Sequence, residues 1–320
     1  MRSFRDFMIE RVRAYYASPK EKFSALGDFF TAPELDRAFG EAVASFLLPY
    51  IKEFERPVLL ELGAGRGLMA KDILSYIRST AGDVFGRLTY LIYEVSPYLR
   101  EVQKKLLSRF SNVEWVDRIP PMEGIVLSNE FFDTLPVHVV EGERELYING
   151  EGEEVWLELR DERIREYIER MGWTGVKQRV EVCLDCIYLL KDIADSLRKG
   201  WHLVIDYGYT AEEVSKFPSG TVVGYKKHRL ERDILKAENV DISAYVNFTA
   251  LMEYGRDFGF ETVLFMKQRD FLMSVPTFIS ELEALSLSQD GEAVQRLSRL
   301  KTMLISMGDR FRVLLQRRIS

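Results

Sequence analysis

The apolar positions of the chain alternate between short continuous runs and longer stripes with the period of a helix. Runs typical of buried strands occur at residues 57–62, 88–93, 125–128 and 201–205. Stripes with helical period occur at residues 68–78, 97–110 and 182–197. Strands that alternate with helices predict βαβ units, so we expect an α/β fold with a mostly parallel sheet.

The later part of the chain extends this sheet and adds to it. Two further strands are predicted at residues 262–267 and 311–315, on either side of amphipathic helical sequence at 277–304. Residues 137–159 alternate apolar and polar positions around the turn residues Asn149-Gly150. This alternation predicts β-hairpins inserted beside the sheet.

The sequence before the first strand predicts a separate cap. Residues 4–48 predict a pair of helices joined by an aromatic loop at 27–31, which we interpret as a lid over the sheet. We therefore expect an N-terminal helical cap over residues 1–50 and a second domain over 51–320. The second domain is expected to carry insertions near residues 138–180 and 218–247.

Composition and charge narrow the function classes. The chain has 320 residues, 47% hydrophobic and 29% charged, which is typical of a soluble globular protein. A net charge of −6 argues against a protein that coats nucleic acid, and we expect no nucleic-acid partner. The longest apolar stretch, residues 42–51, is far shorter than the ~20 residues of a membrane span. Residues 1–13 match no secretory signal, so we expect a cytoplasmic, bacterial-type protein.

The cysteines are Cys183 and Cys186. A single C-x-x-C pair lacks the ligand count of a structural zinc site, and we expect no metal. Together with Leu189 and Leu190, the pair has the spacing of a buried helix face. We favour this interpretation over redox chemistry and expect a reducing compartment.

The stretch 61–67 has the sequence ELGAGRG and follows the first predicted strand. Its glycines at 63, 65 and 67 permit a tight turn in which the backbone approaches a ligand. A dinucleotide motif G-x-G-x-x-G requires a glycine where Leu68 stands. An acid, Glu61, two residues before Gly63 suits a cationic ligand without a pyrophosphate. The motif Glu61, Gly63, Gly65 and Gly67 therefore favours S-adenosyl-L-methionine over NAD, with a ligand-free structural turn as the alternative.

Two further acids follow predicted strands. Glu94 ends the second strand, where a carboxylate can accept hydrogen bonds from both ribose hydroxyls. It also precedes Ser96-Pro97 at a helix start, and the two roles can coexist. Asp117 follows the third predicted strand, where it is a candidate for the adenine amino group or an ordinary turn residue.

The segment 128–136, with the sequence SNEFFDTLP, directly follows a buried strand. In a sheet of order 3-2-1-4-5, the ends of strands 1 and 4 flank the switch-point crevice. We therefore expect Asn129, Glu130 and Asp133 near a methyl acceptor. Paired acids at Glu130 and Asp133 can hold a guanidinium by bidentate hydrogen bonds. The alternative is that Asp133 caps a turn and Glu130 is solvated.

Further polar residues fall near the same predicted sheet edge. Asp206 and Tyr207 follow the fifth strand and are candidates to line the acceptor pocket, with Phe131. His228 is one of three histidines and a reserve proton acceptor, although a surface histidine is the more common outcome.

Ordered blocks over most of the chain resemble the MidA-type class I methyltransferases, which include the mitochondrial complex I assembly arginine methyltransferase. The blocks are DFM at 6–8, YY at 15–16, GDFFTAPE at 27–34, FGE at 39–41, ELGAGRG at 61–67, NEFFD at 129–133, LPV at 135–137, DYG at 206–208, GY at 224–225 with His228, DISAYVNF at 241–248 and MGDRF at 307–311. Many blocks in one order are far more specific than the glycine motif alone.

The resemblance implies a Rossmann-like class I methyltransferase fold. Its mostly parallel seven-stranded sheet has helices on both faces, an N-terminal helical cap and a β-hairpin insertion. It implies methyl transfer from S-adenosyl-L-methionine to an arginine of a partner protein, such as a respiratory-complex subunit. The resemblance implies that the cofactor is bound by Glu61, Gly63, Gly65, Gly67, Glu94, Asp117 and Asn129. Catalysis falls to Glu130, Asp133 and Asn129 with His228 in reserve, and acceptor binding to Phe131, Asp206 and Tyr207.

Three other functions stay open at this point. In one, the acceptor is a small molecule enclosed by the aromatic lid and Tyr207. In another, the chain is a non-catalytic assembly chaperone that binds S-adenosyl-L-methionine for stability. A nicotinamide oxidoreductase is disfavoured by Leu68. The helical residues 277–304 offer a homodimer face, but packing within one chain explains the same pattern.

Overall fold

The computed structural model describes residues 1–17, 31–226, 229–231, 233–236 and 240–319. In these ranges the helices are α1 (Phe4–Ala17), α2 (Ala32–Leu35), α3 (Ala38–Ile51), α4 (Leu68–Thr80), α5 (Gly82–Phe85), α6 (Pro97–Leu107), α7 (Glu162–Arg170), α8 (Leu184–Ser196), α9 (Phe248–Asp257), α10 (Gln268–Ser274), α11 (Pro276–Leu287) and α12 (Gly291–Ile305). Short 3₁₀ helices span Phe132–Thr134 and Ala211–Lys216.

The strands of the described residues follow in the same order. They are β1 (Arg2–Ser3), β2 (Val58–Leu62), β3 (Thr89–Tyr93), β4 (Val113–Val116), β5 (Met122–Asn129), β6 (His138–Glu141), β7 (Arg144–Ile148), β8 (Glu154–Glu158), β9 (Arg179–Val182), β10 (Leu197–Tyr209), β11 (Val223–Lys226), β12 (Arg229–Glu231), β13 (Asp241–Ser243), β14 (Val246–Asn247), β15 (Phe260–Lys267) and β16 (Phe311–Arg318). The expected α/β class is confirmed.

The chain forms two compact units. The first unit takes the described residues within Met1–Phe29, Phe131–Asp192 and Tyr207–Phe258. The second unit takes those within Phe30–Glu130, Ile193–Asp206 and Gly259–Ser320. The described parts of residues 1–50 thus fall in both units, and the cap over 1–50 stays a prediction, as do the other domain bounds. The predicted lid loop at 27–31 lies outside the described residues apart from Thr31.

The second unit is built on a mixed sheet. Its strands lie in the order β15-β16-β10-β5-β2-β3-β4. Neighbours from β10 to β4 are parallel, whereas β15 and β16 are antiparallel. Numbered along the chain from β2, the parallel part has the expected order 3-2-1-4-5. This order places the ends of β2 and β5 side by side.

Burial explains why the central strands formed where the apolar runs predict them. Leu59, Leu60 and Leu62 in β2 are completely enclosed, and so are Val126 and Leu127 in β5. A parallel strand is covered on both faces, which favours continuous apolar sequence over alternation.

The helices that follow these strands begin at recognisable signals. Gly67, with φ of +84°, is the N-cap of α4. Ser96 caps α6 by accepting a hydrogen bond from the backbone N–H of Leu99, and Pro97 occupies the first turn. Each helix therefore starts directly beyond the end of its strand.

The first unit contains mainly antiparallel strands. One sheet has the order β1-β7-β6-β9 with β8 beside β7, and another has the order β12-β11-β13. The β6–β7 and β7–β8 pairs are the hairpins predicted within residues 137–159. Buried side chains such as Ile164, Val182 and Ile242 fill the core of this unit.

The interpretation of the cysteines as a merely apolar helix face is wrong. Cys186 is buried in the first turn of α8, as its spacing predicts, but it forms a disulfide with Cys183. Cys183 directly precedes the helix and stands three residues before Cys186. The Cα atoms of the two cysteines are 5.3 Å apart. This separation lies in the usual range for a disulfide.

Membrane and metal searches cover only the residues that the structure describes. No helix in these residues has the length and apolarity to span a bilayer. They also contain no group of three or more His, Cys, Asp or Glu side chains arranged to hold a metal ion.

Candidate functional site

The register of four parallel strands in the second unit aligns the carboxyl ends of β2 and β3 with positions in β5 and β10. Leu62 lies opposite Tyr93 and Ser128, and Ser128 lies opposite Val204. The next residue of each chain segment therefore falls at one edge of the sheet. These residues are Gly63, Glu94, Asn129 and Ile205. Ligands of open α/β sheets bind at this edge, where the strand order reverses.

The loop that follows β2 curls back on itself through glycines. The N–H of Gly63 donates to the Tyr93 carbonyl at 2.9 Å, and the N–H of Gly67 donates to the Ala64 carbonyl at 2.7 Å. Gly65 has φ of +53°, and no atom lies within 4 Å of the position that a Cβ would occupy there. A left-handed turn with open space beside it permits close approach of a ligand to the backbone.

Glu61 is a buried carboxyl group directly before this loop. Its side chain accepts a hydrogen bond of 2.7 Å from the Tyr90 hydroxyl. Burial raises the pKa of Glu61 to about 7, and the charge of Glu94 adds to this rise, while the bond from Tyr90 opposes it. A cationic ligand beside the carboxylate would offset the cost of its burial. The site therefore fits the sulfonium and ammonium groups of S-adenosyl-L-methionine.

Glu94 lies at the end of β3 and is also buried. Its Oε1 atom accepts the backbone N–H of Ser96 at 2.8 Å, and its Oε2 atom accepts Nε2 of Gln103 at 3.2 Å. Burial raises the pKa of Glu94, and these two donors oppose the rise. Glu94 thus contacts the start of α6, which is the second of the two roles predicted for it. A carboxylate has further lone pairs for ribose hydroxyls.

Asp117 lies at the surface of the same unit. Its side chain is 89% exposed and pairs with Nη2 of Arg100 at 2.5 Å. Arg100 also donates to the backbone carbonyls of Glu94 and Val116. Asp117 is therefore connected to the Glu94 segment through Arg100, and its contact with adenine stays a prediction.

Gln103 and Trp115 contact this site and were not identified from the sequence. Gln103 donates to the Gly65 carbonyl at 2.8 Å and accepts a hydrogen bond from the Trp115 indole at 2.8 Å. A sequence signal existed, because Gln103 stands four residues after Leu99 and four before Leu107. A glutamine in a buried helical stripe requires partners for its amide.

Glu130 directly follows β5 and has a strained backbone. Its φ of +50° is the one positive value of a non-glycine residue among the residues that the structure describes. Its N–H donates to the Ile205 carbonyl at 3.0 Å, and its carboxylate accepts Nδ2 of Asn129 at 3.2 Å. Asp206, which follows Ile205, is completely enclosed. Strained residues cluster at functional sites, which supports a role for Glu130.

Asp133 belongs to the first unit and lies in the 3₁₀ helix Phe132–Thr134. Its carboxyl group accepts hydrogen bonds from the Ser243 side chain and the Thr134 backbone, and its carbonyl accepts the N–H of Ala244. Burial raises the pKa of Asp133 to about 7. The turn-capping contact expected as an alternative is therefore present.

The aromatic acceptor candidates also belong to the first unit. Phe131 meets Phe132 edge to face, with ring centroids 6.2 Å apart. Tyr207 stacks on Tyr245, with centroids 5.7 Å apart. Both residues thus contact aromatic rings of their own unit.

The structure assigns the predicted site residues to two groups. In the second unit it brings together, at one sheet edge, Glu61, Gly63, Gly65, Gly67, Glu94, Asn129, Glu130 and Asp206. In the first unit it places Phe131, Asp133 and Tyr207. His228 lies outside the described residues.

Comparisons with known proteins show the family and the fold of the chain. A family model for S-adenosyl-L-methionine-dependent methyltransferases matches residues 42–266. The mitochondrial protein arginine methyltransferase NDUFAF7 of Danio rerio is 26% identical, covering 96% of this chain and 80% of its own. The Drosophila melanogaster homolog is 23% identical, covering 94% of this chain and 77% of its own.

A solved structure shares the fold. It is a Burkholderia thailandensis protein bound to S-adenosyl-homocysteine, with a TM-score of 0.81 and 24% identity over 99% of this chain and 87% of its own. The native structure of a superfamily member from the same organism gives a TM-score of 0.80 and 23% identity, again covering 99% of this chain and 87% of its own. The likeness extends over both units of the present chain. The match of the family model over residues 42–266 shows that the chain belongs to the family of S-adenosyl-L-methionine-dependent methyltransferases.

Proposed function

We propose that this methyltransferase modifies the guanidinium group of an arginine in a partner protein. The observation that carries the proposal is the acidic residue Glu130, held in a left-handed backbone conformation at the end of β5. Relatives named as protein arginine methyltransferases support it, since they match over more than nine tenths of the chain. The proposal includes a cytoplasmic location and the fold details that the resemblance implies: a seven-stranded sheet with helices on both faces, an N-terminal cap and a hairpin insertion.

In this proposal, the cofactor is held by the second unit. Glu61 faces its positive charge, the turn around Gly65 admits it close to the backbone, and Glu94 accepts its ribose hydroxyls. The cofactor supplies an electrophilic methyl group. Asn129 belongs to the cofactor set through its place at the sheet edge, and Asp117 through its position after β4.

Glu130 binds and orients the guanidinium. A carboxylate pairs with a guanidinium through two parallel hydrogen bonds, which fixes the direction of the attacking nitrogen. The amide of Asn129 donates to this carboxylate and holds its orientation. The left-handed backbone of Glu130 is unfavourable in free energy. Such strained conformations are found mainly where they position a functional group.

The attacking nitrogen loses a proton during methyl transfer. One of the two acids Glu130 and Asp133 is the proposed acceptor of this proton. His228 keeps its reserve role. Phe131, Asp206 and Tyr207 keep the acceptor-binding roles that the resemblance implies.

The test measures methyl transfer to an array of arginine-rich peptides and to copies with lysine in place of arginine. We expect label from S-adenosyl-L-methionine on the arginine peptides alone. Glu130→Gln should lower turnover about 100-fold or more while leaving the affinity for S-adenosyl-homocysteine nearly unchanged. The matched control is Glu123→Gln, an exposed glutamate on the same strand. Transfer to the lysine copies, or full turnover by Glu130→Gln, would overturn the proposal.

A further inference from the structure

Gln103 is a completely enclosed polar side chain in the middle of α6. The stripe that it interrupts, Leu99 and Leu107, is otherwise apolar and buried. A buried amide without partners destabilises a protein, so each of its polar atoms requires a hydrogen bond. Leucine or methionine would fill the same space without the free-energy cost of burying an amide. The presence of glutamine therefore indicates a specific role for its hydrogen bonds.

The amide of Gln103 has partners for every hydrogen. Its Nε2 atom donates to the Gly65 carbonyl at 2.8 Å and to Glu94 Oε2 at 3.2 Å. Its Oε1 atom accepts the indole N–H of Trp115 at 2.8 Å. An indole nitrogen only donates and a carbonyl only accepts, so these partners fix which end of the amide faces which group.

These bonds connect three separate segments of the sheet edge. Gly65 lies in the loop after β2, Glu94 follows β3, and Trp115 is in β4. Gln103 also lies beside Gly67, because a Cβ built on this glycine would be 3.4 Å from Cγ of Gln103. Gln103 thus supports both the turn of the glycine loop and the carboxylate of the next strand.

Another buried glutamine of the same unit shows what a merely structural role looks like. Gln268 in α10 is equally enclosed, and its Nε2 atom donates to the Met303 carbonyl at 3.3 Å. This bond joins α10 to α12 and involves neither the glycine loop nor Glu94. Gln268 therefore offers a matched control for the burial of a glutamine.

We propose that Gln103 is a positioning residue that fixes the Gly65 carbonyl and the Glu94 carboxylate relative to each other for cofactor binding. The proposal rests on the cofactor site described above. One bond turns the Gly65 carbonyl toward α6. The other occupies one lone pair of Glu94 Oε2, which leaves the remaining lone pairs for the ribose. Gln103 itself contacts no reacting atom.

The donation from Gln103 also affects protonation of Glu94. Hydrogen bonds to the carboxylate lower the pKa of Glu94, against the rise that burial causes. Removing this donor therefore raises the pKa, and cofactor binding should be lost at a higher pH as the solution is acidified. A purely structural glutamine would not move this profile.

The test compares Gln103→Met with Gln268→Met. S-adenosyl-homocysteine is titrated by calorimetry between pH 5.5 and 8.5, and kcat and KM for S-adenosyl-L-methionine are measured. We expect Gln103→Met to weaken binding about 10- to 100-fold and to raise KM similarly, with kcat within about threefold. The pH below which this variant loses affinity for S-adenosyl-homocysteine should be higher than in the wild type. Gln268→Met should keep wild-type affinity and profile.

Two additional variants keep the test decisive. Gln103→Glu removes the donor at neutral pH but regains one when the introduced acid is protonated, so its affinity relative to that of the wild type should rise as pH falls. Trp115→Phe removes the bond that orients the amide and should weaken binding about 3- to 10-fold. This variant decides the matter if Gln103→Met does not fold.

The outcomes separate this role from the proposed function. Wild-type binding together with unchanged affinity of Gln103→Met or Trp115→Phe would overturn the positioning role and leave the methyltransferase site intact. Equal losses in Gln103→Met and Gln268→Met would also overturn it. A wild-type protein that does not bind S-adenosyl-homocysteine would overturn the cofactor site, and the role of Gln103 with it.

Discussion

The hydroxyl of Tyr90 donates a 2.7 Å hydrogen bond to the carboxyl group of Glu61. The two side chains lie on the neighbouring strands β3 and β2, and both are almost completely enclosed. The bond favours the ionised form of Glu61, whereas burial disfavours it and raises its pKa to about 7. The protein thus keeps a buried acid next to the glycine loop, and a bound cation would favour its ionised form.

Glu61→Gln should separate stability from cofactor binding. Glutamine keeps an acceptor for Tyr90 and removes the buried charge, so the ligand-free variant should be more stable by about 1–3 kcal/mol at pH 8. Folding raises the pKa of Glu61 from 4.5 to about 7. The ionised carboxylate therefore destabilises the folded protein increasingly as pH rises from 4.5 to about 7. Near pH 4.5 and below, the two proteins should unfold alike in urea. Affinity for S-adenosyl-L-methionine should fall sharply, and a variant that binds normally would contradict this role.

Cofactor affinity should depend on pH through the same carboxyl group. A bound cation favours ionised Glu61, so binding should release protons and tighten as pH rises toward about 7, then level off. Calorimetry in buffers of different ionisation enthalpy measures the released protons. Tyr90→Phe removes a bond that lowers the pKa of Glu61, so its profile should move to higher pH. A flat profile in the wild type would argue against contact between Glu61 and the cofactor's charge.

Gly65→Ala should impair binding through the ligand space beside the loop. The added methyl group meets no protein atom within 4 Å, but the residue has φ of +53°. We expect a stability loss of about 1–2 kcal/mol from the backbone and a larger relative loss of cofactor affinity. Gly82→Ala is the matched control, because it also meets no atom and lies at the start of α5. Equal affinity in the two variants would mean that the space beside Gly65 is not used.

The sheet and the cofactor loop were predictable because local sequence determines them. Continuous apolar runs marked β2 and β5, since parallel strands are buried on both faces. The position of Glu94 followed from the rule that ligands bind at the carboxyl ends of such strands. By contrast, β1 comprises only Arg2–Ser3 and is defined by its pairing with β7. No periodicity in two residues can indicate a pairing partner that lies more than a hundred positions away.

The remaining features of the site depend on three-dimensional contacts. Gln103 stood out as polar in an apolar stripe, but its partners Gly65 and Trp115 come from other segments. The left-handed backbone of Glu130 has no sequence signal, because glutamate rarely adopts it. The same limit applies to the disulfide, where spacing indicated a helix face but not the pairing of the sulfur atoms.

The disulfide between Cys183 and Cys186 gives a direct chemical prediction. Protein purified without reductant and then denatured should show no free thiols, and reduction should release both. The closed loop is short, so reduction should lower the free energy of unfolding by only about 2 kcal/mol. The double variant Cys183→Ser and Cys186→Ser should match the reduced protein and not respond to reductant. Two free thiols in the untreated protein would support the reducing state expected from the sequence.

Replacing Glu130 by glycine and by alanine should measure the strain stored at the end of β5. Both variants remove the carboxylate, so both should lose turnover to the same extent. They differ in the Cβ atom, which makes a left-handed backbone unfavourable by about 1–2 kcal/mol for alanine but not for glycine. Glu130→Gly should therefore be more stable than Glu130→Ala by about 1 kcal/mol in urea unfolding. The opposite order is expected at a site of ordinary φ, where glycine costs more chain entropy, and observing it would show that Glu130 is not strained in solution.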